Sequence, residues 1–310
     1  MKQLLHHLYV LSLPEGVRAY LIQEGGRGLL IGCGPNTDEN EAAVLDNLAS
    51  VGLSPETTDL FLPHGGAEVA GLCGRFQRPG NRTYVRDCEG AWLGCARTAA
   101  FWEDQTAVCA AWGVPARKVP DYRAFPAWRQ RLADPVDVTG VRDGWRIQVG
   151  GYRLEAVDLA GCAPGQLGLW DFERGLLFGG DLLWAAGVPA VPAWDNDSDA
   201  LGVCLRNLRK VRAMQLTTVY PAHGAPVQDV SARVEETAAL YGMQGDAVYD
   251  MLCDGKAHTV WDLTPNAAKL DDWARWQALR ATAAQTEYLR RCEKISCDPQ
   301  PDGWKFTLNR

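Results

Sequence analysis

The chain reads as an α/β (α+β) protein of two strand-rich parts followed by a helical block, and three observations carry that reading. Short apolar runs at residues 17–23 and 28–31, split by Gly25-Gly26, precede an amphipathic stretch at 38–51, the pattern of a hairpin leading into a helix. From residue 136 the runs become closely spaced, at 145–149, 152–157, 166–172 and 175–178, with Gly150-Gly151 and Glu173-Arg174-Gly175 between them; this predicts a second group of strands. Beyond residue 231 the apolar spacing becomes that of helices.

Taken in order, residues 4–13 form an apolar run interrupted by His6 and His7 with no small-residue cleavage site, so they read as a strand and not as a secretory leader. The turn Gly32-Cys33-Gly34-Pro35-Asn36-Thr37 then leads into the helix at 38–51, whose stripe is Ala42, Val44, Leu45 and Leu48. A dinucleotide-binding reading of Gly32 and Gly34 lacks its third glycine, since Thr37 stands there. Residues 59–63 predict a strand, 68–76 a helix, 82–86 a short strand and 88–112 one long helical region. Residues 121–134, with three arginines and Trp128, are an insertion whose form the pattern leaves open. Its basic and aromatic mix suits a solvated face better than a contact surface.

The last block predicts a helix at 238–251 stopped by Gly255, a short segment at 259–263, a long helix at 270–293 and a hairpin at 295–308 around Pro301-Asp302-Gly303. Trp273, Trp276, Leu279, Ala283, Leu289 and Cys292 recur at helical spacing and are expected in a core.

A chain of 310 residues with 47% hydrophobic content can bury a large core with room for an appendage. Its net charge of −7 argues against nucleic acid or an anionic membrane as partner. No apolar run reaches the length of a membrane span. Ten cysteines without a C-x-x-C pair read as free thiols of a cytoplasmic protein.

The residues that carry chemistry lie at the ends of predicted strands. His64 closes Phe61-Leu62-Pro63 and is followed by Gly65-Gly66-Ala67-Glu68-Val69; Asp181 follows Leu177-Phe178-Gly179-Gly180. Cys162 lies in Gly161-Cys162-Ala163-Pro164-Gly165, and His223 lies in Pro221-Ala222-His223-Gly224. In this order, over residues 17–227, the set resembles the metallo-β-lactamase superfamily. That family carries H-x-H-x-D-H at the first strand end, P-G-H-T-x-G in the middle loop, and strands ending in G-D and P-x-H-G.

The resemblance implies a four-layer αββα sandwich over residues 1–228. It also implies a winged-helix-like domain over residues 229–310, similar to appendages of the glyoxalase-II-like and lactamase-β-2-like branches. On this alignment His64, Asp181 and His223 keep the family residue, while Glu68 and Cys162 have changed but can still bind metal. Gly66 and Val69 cannot bind one, and Gly32 stands where the family's supporting aspartate belongs.

The metal residues implied are His64, Glu68, Cys162, Asp181 and His223, with Asp181 and Cys162 as the catalytic candidates. His64, Cys162 and Asp181 would surround one ion, and Glu68, Asp181 and His223 the other. Three protein ligands with an open position make a catalytic zinc pattern, but the losses predict one divalent ion at most (zinc, manganese or iron) or none.

Three readings follow. The favoured one is a pseudo-enzyme that keeps the cleft and binds a small molecule or a protein without turnover; Trp184 and Trp194 follow Asp181 and could line the cleft, although ordinary packing is their more common role. The second is a mononuclear metal-dependent hydrolase of an ester, thioester or phosphoester. The third is a Cys-His hydrolase using Cys162. Asp246, Asp250, Asp254, Asp262, Asp271 and Asp272 make the C-terminal block too acidic for DNA, so a cleft wall or homodimer contact is its expected role.

Overall fold

The computed structural model describes residues 1–95, 98–119 and 131–309. Its first sheet runs in chain order, β1-β2-β3-β4-β5-β6-β7. The strands β1 (Lys2–Leu5), β2 (Leu8–Ser12), β3 (Arg18–Glu24) and β4 (Arg27–Ile31) pair antiparallel through tight turns. After β4 the chain leaves the sheet through helix α1 (Asp38–Ala49) and returns as β5 (Thr58–Phe61), parallel to β4, because a parallel neighbour needs a crossover. The short turns α2 (Ala67–Ala70) and α3 (Cys73–Phe76) lead to β6 (Thr83–Arg86). Helices α4 (Asp87–Cys95) and α5 (Ala99–Ala111) then precede the edge strand β7 (Thr139–Val141).

The second sheet is ordered β12-β11-β10-β9-β8. It contains β8 (Arg146–Val149), β9 (Tyr152–Asp158), β10 (Leu167–Asp171) and β11 (Leu176–Gly180), joined as a meander. Helix α6 (Ala200–Ala213) then carries the chain across to β12 (Thr218–Pro221), parallel to β11. The remainder is α7 (Val230–Met251), α8 (Val260–Leu263), α9 (Asp272–Arg291) and the hairpin β13 (Ile295–Asp298) and β14 (Lys305–Leu308).

Alternating faces of the strands separate the layers. Tyr20, Ile22, Leu29, Ile31 and Phe61 meet Leu154, Leu167, Leu169, Phe178 and Tyr220 between the sheets. The other face of the first sheet packs Leu21, Leu30 and Leu60 on Val44 and Leu48 of α1. The other face of the second packs Leu177 and Val219 on Leu201, Cys204, Leu208 and Val211 of α6 and Val234 of α7. The result is the four-layer αββα sandwich with a helical C-terminal block. A further core joins α5 to that block, with Phe101, Cys109 and Trp112 against Leu252, Trp276, Leu279 and Phe306.

α1 illustrates how local sequence sets an element. The Thr37 hydroxyl accepts the Asn40 N–H at 3.2 Å and Asp38, Glu39 and Glu41 lie in the first turn, so one orphan donor is bonded and the helix dipole meets negative charge.

Four expectations need correction. Residues 4–13 are not one strand, since the chain reverses at His6-His7, with His7 at φ 61°, to form β1 and β2. The helix expected at 68–76 is two single turns, because the Leu72 N–H leaves the helix to bond the Gly34 carbonyl at 3.0 Å. The region 88–112 is two helices, the second started by Thr98, whose hydroxyl accepts the Phe101 N–H. Cys292, expected in the core, is exposed, while Trp276, Leu279, Ala283 and Leu289 are buried as expected. Of the insertion at 121–134, residues 121–130, Trp128 included, lie outside the described part.

Candidate functional site

The site forms where three strands end on one edge of the sandwich. His64 lies just beyond β5, Asp181 follows β11, and His223 follows β12. The parallel pairing of β11 and β12 holds the last two together, reinforced by the Ala222 N–H to the Gly180 carbonyl at 2.8 Å. Gly180 has φ 55°, and a Cβ there would press on Pro63 at 3.1 Å, so the bend that presents Asp181 needs glycine.

At the centre, His64 Nε2 lies 2.8 Å from Asp181 Oδ2, both side chains being buried. The Gly66 N–H donates to His64 Nδ1 at 3.0 Å. Trp184 Nε1–H donates to Asp181 Oδ1 at 3.1 Å, and His223 Nε2 is 3.7 Å from that same oxygen. Trp184 also packs edge-on against the half-exposed His223, ring centroids 5.2 Å apart.

Burial works against charge on both members of the central pair, but each outweighs it for the other. Burial lowers His64 while Asp181 raises it, to about 9 on balance. Burial raises Asp181, but His64, His223 and Trp184 hold it below the usual carboxylate range. The Gly66 N–H opposes the rise at His64, because a second ring proton on Nδ1 would face it, and this hydrogen bond sets the ring as neutral with its proton on Nε2. In either charge state Nε2 carries a proton toward Asp181.

These contacts bear directly on metal binding. A histidine ligates through an unprotonated nitrogen, and here one ring lone pair takes the Gly66 N–H while the other nitrogen holds a proton. Gly66 makes this possible, because a Cβ there would lie 2.6 Å from His64 Cε1. The missing side chain lets the His64 ring occupy the space. Glu68 is near, its Oε1 3.2 Å from that same Cβ position.

Cys162 donates its thiol proton to the Asp181 carbonyl at 2.9 Å. Burial, with Cys204, Asp181 and Glu68 nearby, pushes its pKa well above the ordinary thiol value. Val69 is buried and lines a void of about 10 Å³ with Gly32, Pro63 and Gly180. The five expected ligands thus come to one neighbourhood. Yet among the described residues no three His, Cys, Asp or Glu side chains converge to hold an ion. As arranged, the residues do not fit a metal.

Glu89 was not expected here. It is 2% exposed and sits in the first turn of α4, where its two oxygens accept the Gly65 N–H at 2.8 Å and the Gly165 N–H at 2.7 Å. One carboxylate thereby ties the His64 loop to the Cys162 loop. A lone acid at a helix start carries no sequence signal for this task. Glu89→Ala is expected to leave two buried N–H groups unpaired, at about 1–3 kcal/mol each, read as a lower unfolding midpoint in urea.

Trp184 does join the site, and its backbone is held from α7: Arg233 Nε donates to the Trp184 carbonyl at 2.6 Å. Trp194 packs instead, its Nε1–H bonded to the Gly161 carbonyl at 3.1 Å. A larger cavity of about 750 Å³ lies elsewhere, between β1 and β12, lined by His6, His7, Tyr152, Arg174 and Thr217. It contains none of the strand-end residues.

A sequence model of the metallo-beta-lactamase superfamily matches residues 95–223, a stretch that contains Cys162, Asp181 and His223 and begins after His64. The chain is similar to the probable metallo-hydrolase YqjP of Bacillus subtilis (strain 168), 25% identical over 71% of this chain and 70% of that protein. It is also similar to a beta-lactamase-like protein 2 homolog of Caenorhabditis elegans, 24% identical over 43% of each. Among solved structures, the metallo-beta-lactamase family protein TTHA1429 of Thermus thermophilus superposes with TM-score 0.81 at 25% identity, covering 98% of this chain and 99% of that one. A beta-lactamase domain protein from Burkholderia ambifaria gives TM-score 0.85 at 16% identity, over 99% and 94% of the two chains. The order of strand-end residues, the two-sheet sandwich and these likenesses agree: the chain has the metallo-beta-lactamase fold and matches that superfamily's sequence model over residues 95–223.

Proposed function

We propose that this chain is a pseudo-enzyme of its superfamily, a protein that keeps the cleft for binding a small molecule and has replaced the metal by a hydrogen-bonded His64–Asp181 pair. The observation that carries the reading is that pair, 2.8 Å apart, with the second ring nitrogen of His64 taken by the Gly66 N–H. Glu89 supports it, since its carboxylate joins two loops that in a metal enzyme would be joined through the ion. His223 and Trp184 are the groups left to meet a ligand at the open side.

A mononuclear hydrolase is the second reading, favoured by Glu68 and the half-exposed His223 near Asp181 and by similarity to a probable metallo-hydrolase. The Cys-His reading has less to support it. A nucleophilic cysteine needs its thiolate, whereas Cys162 holds its proton against the Asp181 carbonyl. The C-terminal block, taken as residues 229–310 with a winged-helix-like order of elements, serves in this proposal as a wall of the cleft.

Metal content decides between the readings. Protein purified without chelator or affinity metal, then equilibrated with zinc, manganese or ferrous iron and desalted, is expected to retain well under one ion per chain by elemental analysis. One tightly held ion would favour the mononuclear hydrolase, and two would overturn both readings.

A further inference from the structure

The cavity between β1 and β12 lies at the end of the sandwich away from the strand-end residues. Its volume of about 750 Å³ falls within the ~300–1,000 Å³ typical of small-molecule sites. Leu176 and Thr218, which begin β11 and β12, line it. Leu176 stands five residues before Asp181, about 16 Å along an extended strand. The first sheet contributes Leu4 and Leu5 of β1, and the second contributes Tyr152 and Tyr220.

Tyr220 brings a hydroxyl to the wall. The residue is 6% exposed and its ring stacks on Phe178, centroids 5.4 Å apart, yet among the described residues its hydroxyl has no hydrogen-bond partner. Two neighbouring tyrosines are provided for within the protein. The Tyr20 hydroxyl donates to the Pro221 carbonyl at 2.7 Å, and the Tyr152 hydroxyl to the His6 carbonyl at 2.6 Å. A buried phenol ordinarily finds a partner, and because Tyr220 lines the cavity, a ligand there can supply one.

The charges on the lining cancel. Arg174 lies over the Tyr152 ring at 4.4 Å and pairs with the buried Asp171 at 2.8 Å. Glu24 has His7 at 3.6 Å. One cation and one anion, each already paired, leave no countercharge waiting for an ionic ligand, so withdrawing such a ligand from water would cost free energy that nothing here returns. The apolar part of the lining is accessible: Leu4 is half-buried, Leu5 is 41% exposed and Pro226 is exposed.

We propose that this cavity is a second binding site, one that takes an uncharged small molecule with an apolar body and a hydrogen-bonding head. The body lies against Leu4, Leu5 and Pro226, and the head meets the Tyr220 hydroxyl. Thr218, two residues earlier on the same face of β12, offers a second hydroxyl to the head. The site is separate from the His64–Asp181 cleft and independent of whether that cleft holds a metal.

The test titrates the full chain with 3-phenylpropanamide, 3-phenylpropanoate and 3-phenylpropylamine, which share a body and differ in charge, and follows calorimetric heat. The amide is expected to bind saturably with a Kd of about 1 mM or tighter, and to bind about threefold or more tighter than either ion. Tyr220→Phe removes the hydroxyl alone, so it should weaken the amide about three- to tenfold and leave the melting temperature where it was. Leu5→Asp, a change at an exposed wall position, should weaken the amide by about tenfold through loss of apolar contact. His223→Ala alters only the strand-end cleft and should leave the amide's affinity as it was. Absence of saturable amide binding, tighter binding of either ion, or full affinity in Tyr220→Phe or in Leu5→Asp would each overturn the proposal. Loss of amide binding in His223→Ala would move the ligand to the strand-end cleft and overturn it as well.

Discussion

Asp181→Ala is expected to destabilise the fold by about 2–6 kcal/mol, because it leaves two donors that now bond the carboxylate, His64 Nε2–H and Trp184 Nε1–H, without an acceptor at about 1–3 kcal/mol each. His64 would remain 4% exposed with its Nε2 proton facing no acceptor, and Trp184 would lose its own. At about 2–4 °C per kcal/mol for a large domain, the melting temperature should fall by about 10 °C. The double replacement His64→Leu with Asp181→Ala removes both polar groups together, and it should cost less than the sum of the two single changes. A coupling well above about 0.5 kcal/mol in the resulting cycle marks the pair as a unit. Chelator provides the contrast, since it should leave the parent's melting temperature where it was. Additive single effects, or a parent that melts much lower in chelator, would show that the two side chains are not holding each other.

The sequence made the fold legible because the sandwich depends on the features that local pattern reports well. Gly25-Gly26 and Gly150-Gly151 mark hairpins, and the strand-end residues His64, Asp181 and His223 stand in a fixed order. What escaped was decided by contacts between distant segments. Nothing near Leu72 announces that its N–H will leave the helix for Gly34, and nothing near Glu89 announces that it will accept from Gly65 and Gly165. The helix α6 is a different case. Asp199 accepts the Gly202 N–H, and Leu201, Cys204, Leu208 and Val211 line the buried face. That spacing was present in the sequence and could have been read from it.

The site divides in the same way. Which residues gather could be foreseen from the motif order, whereas what they do once gathered could not. The motif resemblance reads Gly66 as a ligand position without a ligand, whereas the geometry shows that the absence of a side chain there lets the Gly66 N–H approach His64 Nδ1. A missing side chain is read from sequence as a gap. In the folded chain it becomes room for a different hydrogen bond.

Restoring the family residues should reverse that arrangement. In the quadruple variant Gly66→His, Glu68→Asp, Val69→His and Cys162→His, the new Cβ at 66 would meet the His64 ring at 2.6 Å, so the ring must rotate and release Asp181. Val69 borders the void beside Gly32, which gives its replacement somewhere to begin, although a histidine is larger than that space and the floor must shift. Cys162→His would exchange a protonated thiol for an imidazole that can ligate at neutral pH. The shorter Asp at 68 brings the carboxylate back by about 1.5 Å, one C–C bond. The rebuilt protein is expected to take up two ions per chain and to gain weak esterase or phosphodiesterase activity through metal-activated water. Uptake is the sharper measure, because activity also needs the support missing at Gly32, where φ is +73° and a side chain would be strained. Stability should become metal-dependent as well, since the variant gives up the His64–Asp181 bond and leaves its ligands charged or unpaired until ions fill the site. A folded variant that binds no more metal than the parent would show that positions 66, 69 and 162 do not face one centre, and the assignment of the cleft would fall with it.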